Sequence, residues 1–150
     1  MPEIMNGLQQ EKVYDLAKDH FLGQFPSSLP IEKAYLHIGI YLGWIVDRKL
    51  YSEYFEEEAA TEIFRFNRRE IGPIVLSEIW DGRLSHELFS NDGNLFTYYY
   101  YAGGIYKKDY INILADSAPS LYHVEDTWEN YGKISQKIND RFMDWKKLVE

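Results

Sequence analysis

Apolar residues recur along most of this chain at three- and four-residue intervals, the spacing of one face of a helix. From Leu8 to Leu22 the stripe is Val13, Leu16, Ala17, His20 and Phe21, which predicts a first helix. GQFPSSLP follows, with Pro26 and Pro30 as breakers. Pro30 suits the start of a second helix over about Ile31–Leu50, where Glu32 lies near the positive end of the helix dipole. The middle of that helix, AYLHIGIYLGWIV over residues 34–46, is apolar nearly all round, as expected of the buried centre of a bundle. Gly39 and Gly43 share one of its faces, so a neighbour can approach closely there.

A third helix is predicted over about Ser52–Glu70, with Phe55, Ala59, Ile63 and Phe66 inward, stopped by Gly72 and Pro73. Ile74 to Trp80 does not alternate as a strand does and is assigned to a helix. Asp81-Gly82 is a turn, Ser85 a cap for a brief helix at 86–89, and SNDGN another turn. A helix over Asn94–Ala102 is broken by Gly103-Gly104, and a further helix or turn covers Ile105–Ala115. The clearest pattern comes last: Trp128, Tyr131, Ile134, Ile138, Phe142 and Trp145 form one stripe, with Asp126 and Glu129 placed as a capping pair. The expected fold is a single all-α domain over residues 1–150, a compact bundle of five to seven helices.

Charge and composition narrow the function. Twenty-four acids against sixteen bases give a net charge of −8, which argues against nucleic acid, whose phosphates need a positive face. With no cysteine there is no thiol nucleophile and no thiolate metal site. The longest apolar run is thirteen residues, short of the ~20 a membrane span requires. A cytoplasmic location is expected, and no signal-like N-terminus is visible.

The segments AYLHIGIYLGWIV (34–46), YHVEDTWENYGKI (122–134) and RFMDWK (141–146) resemble an uncharacterised family of small acidic bacterial proteins of unknown function. Proteins of that size and acidity are similar to immunity proteins, which neutralise a toxin. The resemblance implies a protein partner rather than a substrate.

Two groups of residues compete for the function. The first is a surface. Tyr98, Tyr99, Tyr100 and Tyr101 stand in a row, and four consecutive helical residues turn through about 300°, so they cannot share one face; Leu95, Tyr98 and Tyr99 are expected inward, with Tyr100 or Tyr101 more exposed. Tyrosine suits wet interfaces, and Glu53, Glu56 and Glu57 supply negative charge to steer a basic partner. These seven residues are the candidate partner-binding set, for a toxin or effector domain or for a second copy of the chain. The second group is chemical: His37, His123, Glu125 and Asp126 are the candidates for a small metal-dependent or acid–base enzyme, and His20, His37 and His123 could converge. No phosphate-binding glycine loop, serine elbow or calcium loop occurs, so no cofactor or metal is expected from motifs.

Overall fold

The structure, a computed structural model, describes residues 12–150. Those residues contain seven helices and one two-stranded ribbon. In chain order they are β1 (Val13–Leu16), α1 (Ala17–Leu22), α2 (Leu36–Asp47), α3 (Glu53–Asn67), α4 (Pro73–Ile79), β2 (Arg83–Ser85), α5 (Asn91–Tyr100), α6 (Ile105–Leu114) and α7 (Trp128–Val149). The all-α class expected from periodicity holds.

Helix α2 is the axis. Every residue from Leu36 to Val46 is buried, so its apolar circumference is covered on all sides. Its glycines set the close approaches. A Cβ on Gly39 would lie 2.0 Å from the Pro73 carbonyl oxygen, so α4 crosses α2 there at backbone contact. A Cβ on Gly43 would meet the rings of Phe66 from α3 at 2.6 Å and Tyr131 from α7 at 2.9 Å. The propensity lost by placing two glycines mid-helix, roughly 1 kcal/mol each, is offset by three helices packing against one.

Helix α7 closes the bundle with the stripe read from sequence: Tyr131, Ile134, Ile138, Phe142 and Trp145 are buried. Phe142 meets the rings of Trp44 and Phe96, and the Trp44 indole N–H donates to Asn139 Oδ1 at 2.8 Å. Its N-cap is Thr127, whose hydroxyl accepts from the Asn130 amide at 3.1 Å, and not Asp126 as the D-x-x-E spacing suggested. Between α6 and α7, Asp109 is buried and accepts two hydrogen bonds of 3.0 Å from Arg141 and one of 2.8 Å from Tyr100.

Several local assignments differ from the sequence reading. The described part of the first segment is not one helix. Val13–Leu16 is a strand antiparallel to β2, with an irregular register between Val13 and Asp15, and only Ala17–Leu22 is helical; Leu8 to Glu11 lie outside the described residues. Tertiary pairing overrides local periodicity here: the Ala17 amide donates to the Gly82 carbonyl and the His86 amide to the Lys12 carbonyl. Ser85 accordingly pairs with Val13 and makes no side-chain cap. Residues 31–34 form a short 3-10 turn before α2. Ser90 caps α5, accepting from the Gly93 amide at 3.1 Å, so SNDGN is the first turn of that helix and not a separate turn.

Candidate functional site

Five elements contribute side chains to one cluster built round Asp15. Asp15 lies where the register of β1 shifts, and such irregularities re-aim side chains. His20 comes from α1 one helical turn beyond the strand, and His37 from the first turn of α2. Tyr101 sits at the C-terminal end of α5, and Tyr122 in a 3-10 turn over Leu121–His123. Asp15 Oδ1 lies 2.7 Å from His20 Nε2, and Asp15 Oδ2 lies 3.3 Å from His37 Nε2. The two Nε2 atoms are 3.2 Å apart. The Tyr101 hydroxyl donates to Asp15 Oδ2, and the Tyr122 hydroxyl lies 2.5 Å from His20 Nδ1.

The electrostatics follow from burial and these contacts. Burial alone pushes the Asp15 carboxyl up, but hydrogen bonds from His20, His37 and Tyr101 outweigh it and hold the group well below the usual carboxylate range. Burial pushes His37 down by more than the neighbouring carboxylate restores, which favours a neutral ring carrying a lone pair. Two imidazole nitrogens and an ionised carboxylate thus face one small space, and a shared proton or a cation has to lie between them.

A cation fits the spacing. Ligand atoms each ~2.0–2.2 Å from one metal ion stand roughly 2.8–3.6 Å from one another at octahedral to tetrahedral angles. The observed separations of 3.2 and 3.3 Å fall within that range, and 2.7 Å lies just below it. Asp15, His20 and His37 are also the one group of three or more potential ligands that converges in this way among the described residues. Tyr122 on the outer nitrogen of His20, and Tyr101 on the carboxylate, occupy the positions from which neighbouring groups orient ligands.

The cluster lines a half-open cavity of about 200 Å³. Its other walls include Tyr14, Tyr106, Tyr110, Gly104 and Lys107. The Tyr106 hydroxyl is engaged, donating to the His37 carbonyl at 2.6 Å. The Tyr110 hydroxyl and His37 Nδ1 are buried without a partner.

The tyrosine row divides between surface and interior the opposite way round from the expectation, with Leu95 exposed and Tyr100 buried. Tyr98 and Tyr99 are exposed, at 61% and 38%, and Lys12 lies over the Tyr98 ring at 4.0 Å. Tyr100 is fully buried against Phe96 and Asp109, and Tyr101 points inward to Asp15, so neither stands on the outer face the partner-binding set required. The helical turn of 100° per residue is the reason. Glu53, Glu56 and Glu57 are exposed on the first turns of α3.

Of the proposed chemical group, His37 joins the cluster and the other three do not. His123 Nδ1 bonds to the Ser120 hydroxyl at 2.8 Å, and Glu125 and Asp126 are exposed in the connection leading to α7. Though exposed at its surface, the Asp126 carboxyl is pushed up by partial desolvation, offset in part by Lys33. His20 and His37 do converge, without His123. Asp15 went unnoticed in the sequence. The available signal was an acid set into an apolar run, YDLA, five residues before a histidine; assigning that run to a helix put the two on different faces.

Fold and site together define a small helical domain built round a half-buried Asp–His–His cluster that lines a cavity. The chain belongs to the family described as a domain of unknown function, DUF7832, whose match spans residues 13–124. The match contains every residue of the cluster and of the cavity wall and leaves α7 outside it. No curated protein and no solved structure matches the chain. No helix among the described residues is long and apolar enough to cross a membrane.

Proposed function

We propose that this chain is a metal-dependent domain that acts on a small molecule, with Asp15, His20 and His37 holding a first-row transition dication. The convergence of one carboxylate oxygen pair and two Nε2 atoms at 2.7–3.3 Å carries the proposal. Two imidazoles and a carboxylate suit zinc or iron(II) better than calcium or magnesium, which prefer oxygen alone. Three protein ligands leave further positions open toward the cavity, the arrangement of catalytic rather than structural sites. An ion there supplies Lewis-acid polarisation of a bound oxygen or a lowered pKa for a bound water. The cavity, at about 200 Å³, is smaller than the ~300–1,000 Å³ of drug-sized ligand sites, so the substrate is small.

The test is the metal content of protein purified without a histidine tag, followed by zinc titration of the stripped protein. Near-stoichiometric binding, lost in His20→Ala and in His37→Ala but retained in His123→Ala, is the expected result. Binding indifferent to His20 and His37 would remove the proposal.

A second reading is a protein-binding module of the immunity type, which occludes a basic toxin or effector. It draws on the exposed Leu95, Tyr98 and Tyr99 of α5 and on the exposed Glu53, Glu56 and Glu57 of α3. Its measurement is association with a confirmed basic partner at low salt. Glu56→Lys with Glu57→Lys is expected to slow association about tenfold or more through lost steering, with the melting temperature nearly unchanged. An unaltered rate would eliminate the steering role.

A further inference from the structure

The rest of the cavity differs in character from the Asp–His–His cluster. Four tyrosines line it, Tyr14, Tyr101, Tyr106 and Tyr110, together with Ala102 and Leu121. None of the four hydroxyls is left to donate to a ligand. Tyr14 donates to Asn94 Oδ1 at 2.8 Å, Tyr101 to Asp15 Oδ2, and Tyr106 to the His37 carbonyl at 2.6 Å. The Tyr110 hydroxyl is buried and inaccessible to solvent, so it is closed to anything in the cavity as well. What these six side chains offer a ligand is ring and methyl carbon. Among the described residues that line the cavity, the remaining side-chain polarity lies in Asp15, His20 and His37 and in Lys107, which is exposed to solvent.

We infer that the cavity binds a molecule with an apolar body of about one aromatic ring and a single oxygen or nitrogen donor group, the body lying against the tyrosine rings, Ala102 and Leu121 and the donor group at the Asp–His–His cluster. The size agrees: the cavity holds about 200 Å³, and an apolar protein cavity of ~150 Å³ is enough to take up benzene. Aromatic walls offer offset-stacked and edge-on contacts to a bound ring. Phenols with no hydroxyl to spare select against ligands rich in hydroxyls or phosphate oxygens, because each such group gives up water and finds no partner there. Lys107 does not change this, since an exposed lysine lays its stem along an apolar wall and keeps its ammonium in water. The inference deepens the metal-dependent reading and rests on it for the donor group, which takes an open position on the ion. The seat for the apolar body involves no metal.

The experiment has two arms, both on the full-length chain. In the first, metal-stripped protein is titrated with benzene and followed by nuclear magnetic resonance. Saturable binding is expected, with intermolecular Overhauser effects from benzene to the Leu121 and Ala102 methyls. Leu121→Asn, polar and no larger, should weaken binding about fivefold or more, and Leu148→Asn, exposed on α7, should leave it unchanged. The Overhauser effects, read on the parent chain, decide the matter where Leu121→Asn does not fold. In the second arm, zinc-loaded protein is titrated with benzohydroxamate and with acetohydroxamate, which share a head and differ in body. Benzohydroxamate is expected to bind about tenfold tighter or more, the gain from burying a ring. If zinc does not bind but benzene still reaches those methyls, the apolar seat stands and the metal reading fails. Absence of saturable benzene binding, Overhauser effects confined to other residues, or a folded Leu121→Asn that binds as the parent does overturns the inference. So does equal affinity of the two hydroxamates for zinc-loaded protein, or binding of neither, because head and body then do not share one cavity.

Discussion

Among single residues, Tyr101 has the most consequential position. Its ring belongs to the aromatic interior, stacked on Tyr106 and edge-on to Tyr41, while its hydroxyl reaches the Asp15 carboxylate. Removing that hydroxyl keeps the packing and frees one lone pair on a proposed metal ligand. Tyr101→Phe is expected to lower zinc affinity by about 10–100-fold while lowering unfolding free energy by about 1.5–3 kcal/mol, the range for a hydrogen bond to a charged group. Calorimetric titration with zinc, paired with denaturant unfolding, checks both. A purely structural tyrosine would move the second quantity and leave the first alone. His37 was legible from sequence as a histidine in a buried helix, and His20 as a possible companion, because periodicity placed both on apolar stripes. Asp15 was not legible as their partner: its encounter with His20 depends on a strand that exists only because β2, some seventy residues later, pairs with it. The division of the tyrosine row followed from helix geometry, but which two faced inward depended on where α5 begins, and Ser90 sets that.

Among the elements, α2 was the most legible and the best test of why. Its unbroken apolar run announced burial, and its two glycines announced close neighbours, though not which ones. At Gly39 the neighbour is the backbone of Pro73, which cannot swing aside as a side chain can. Gly39→Ala is therefore expected to destabilise the fold by about 3 kcal/mol, at the upper end of overpacking costs, despite the better helix propensity of alanine. Urea unfolding measures it, and a neutral or stabilising result would mean that α4 slides along α2 without penalty. The same crossing holds the first turn of α2, and with it His37, so zinc affinity should weaken in this variant as well. Helices α3 and α7 were predicted within a few residues because each carries an unbroken inward stripe, and the segment read as helix or turn over Ile105–Ala115 is helical in α6. The segments around β1 and β2 were mispredicted because their backbone hydrogen bonds go to each other and not to their own neighbours in sequence. Most misassigned local structure lies close to the cluster, where long-range contacts and not local pattern decide the conformation.

Over the whole molecule, the interior is aromatic to a degree that exposes it to alkaline pH. The family match ends at residue 124, yet α7 contributes Tyr131, Phe142 and Trp145 to the same aromatic core as Tyr41, Trp44 and Phe96, so core formation extends beyond the matched stretch. Burial pushes the phenols of Tyr41, Tyr100, Tyr106, Tyr110 and Tyr131 above their ordinary value of 10.0, and pushes that of the half-buried Tyr14 up to about 12. A group whose pKa is higher in the folded state contributes its full stability below its unfolded value. That contribution is lost as pH rises from the unfolded value through the folded one. Nothing should therefore change up to about pH 9, and stability should fall from pH 10 upward. At pH 11 each fully buried phenol gives the unfolded chain an advantage of about 1.4 kcal/mol. Five of them together reach about 7 kcal/mol, within the 5–15 kcal/mol that holds a typical domain together. The chain should accordingly unfold cooperatively between about pH 10 and 12, with phenolate absorbance rising in step with the loss of near-ultraviolet circular dichroism. Bound zinc should move the transition to higher pH without abolishing it, since a ligand of the folded state stabilises it while the buried phenols away from the cluster still ionise only on unfolding. A near-ultraviolet spectrum that survives full phenolate formation would show that these rings reach solvent without unfolding, and that the aromatic interior is looser than its packing implies.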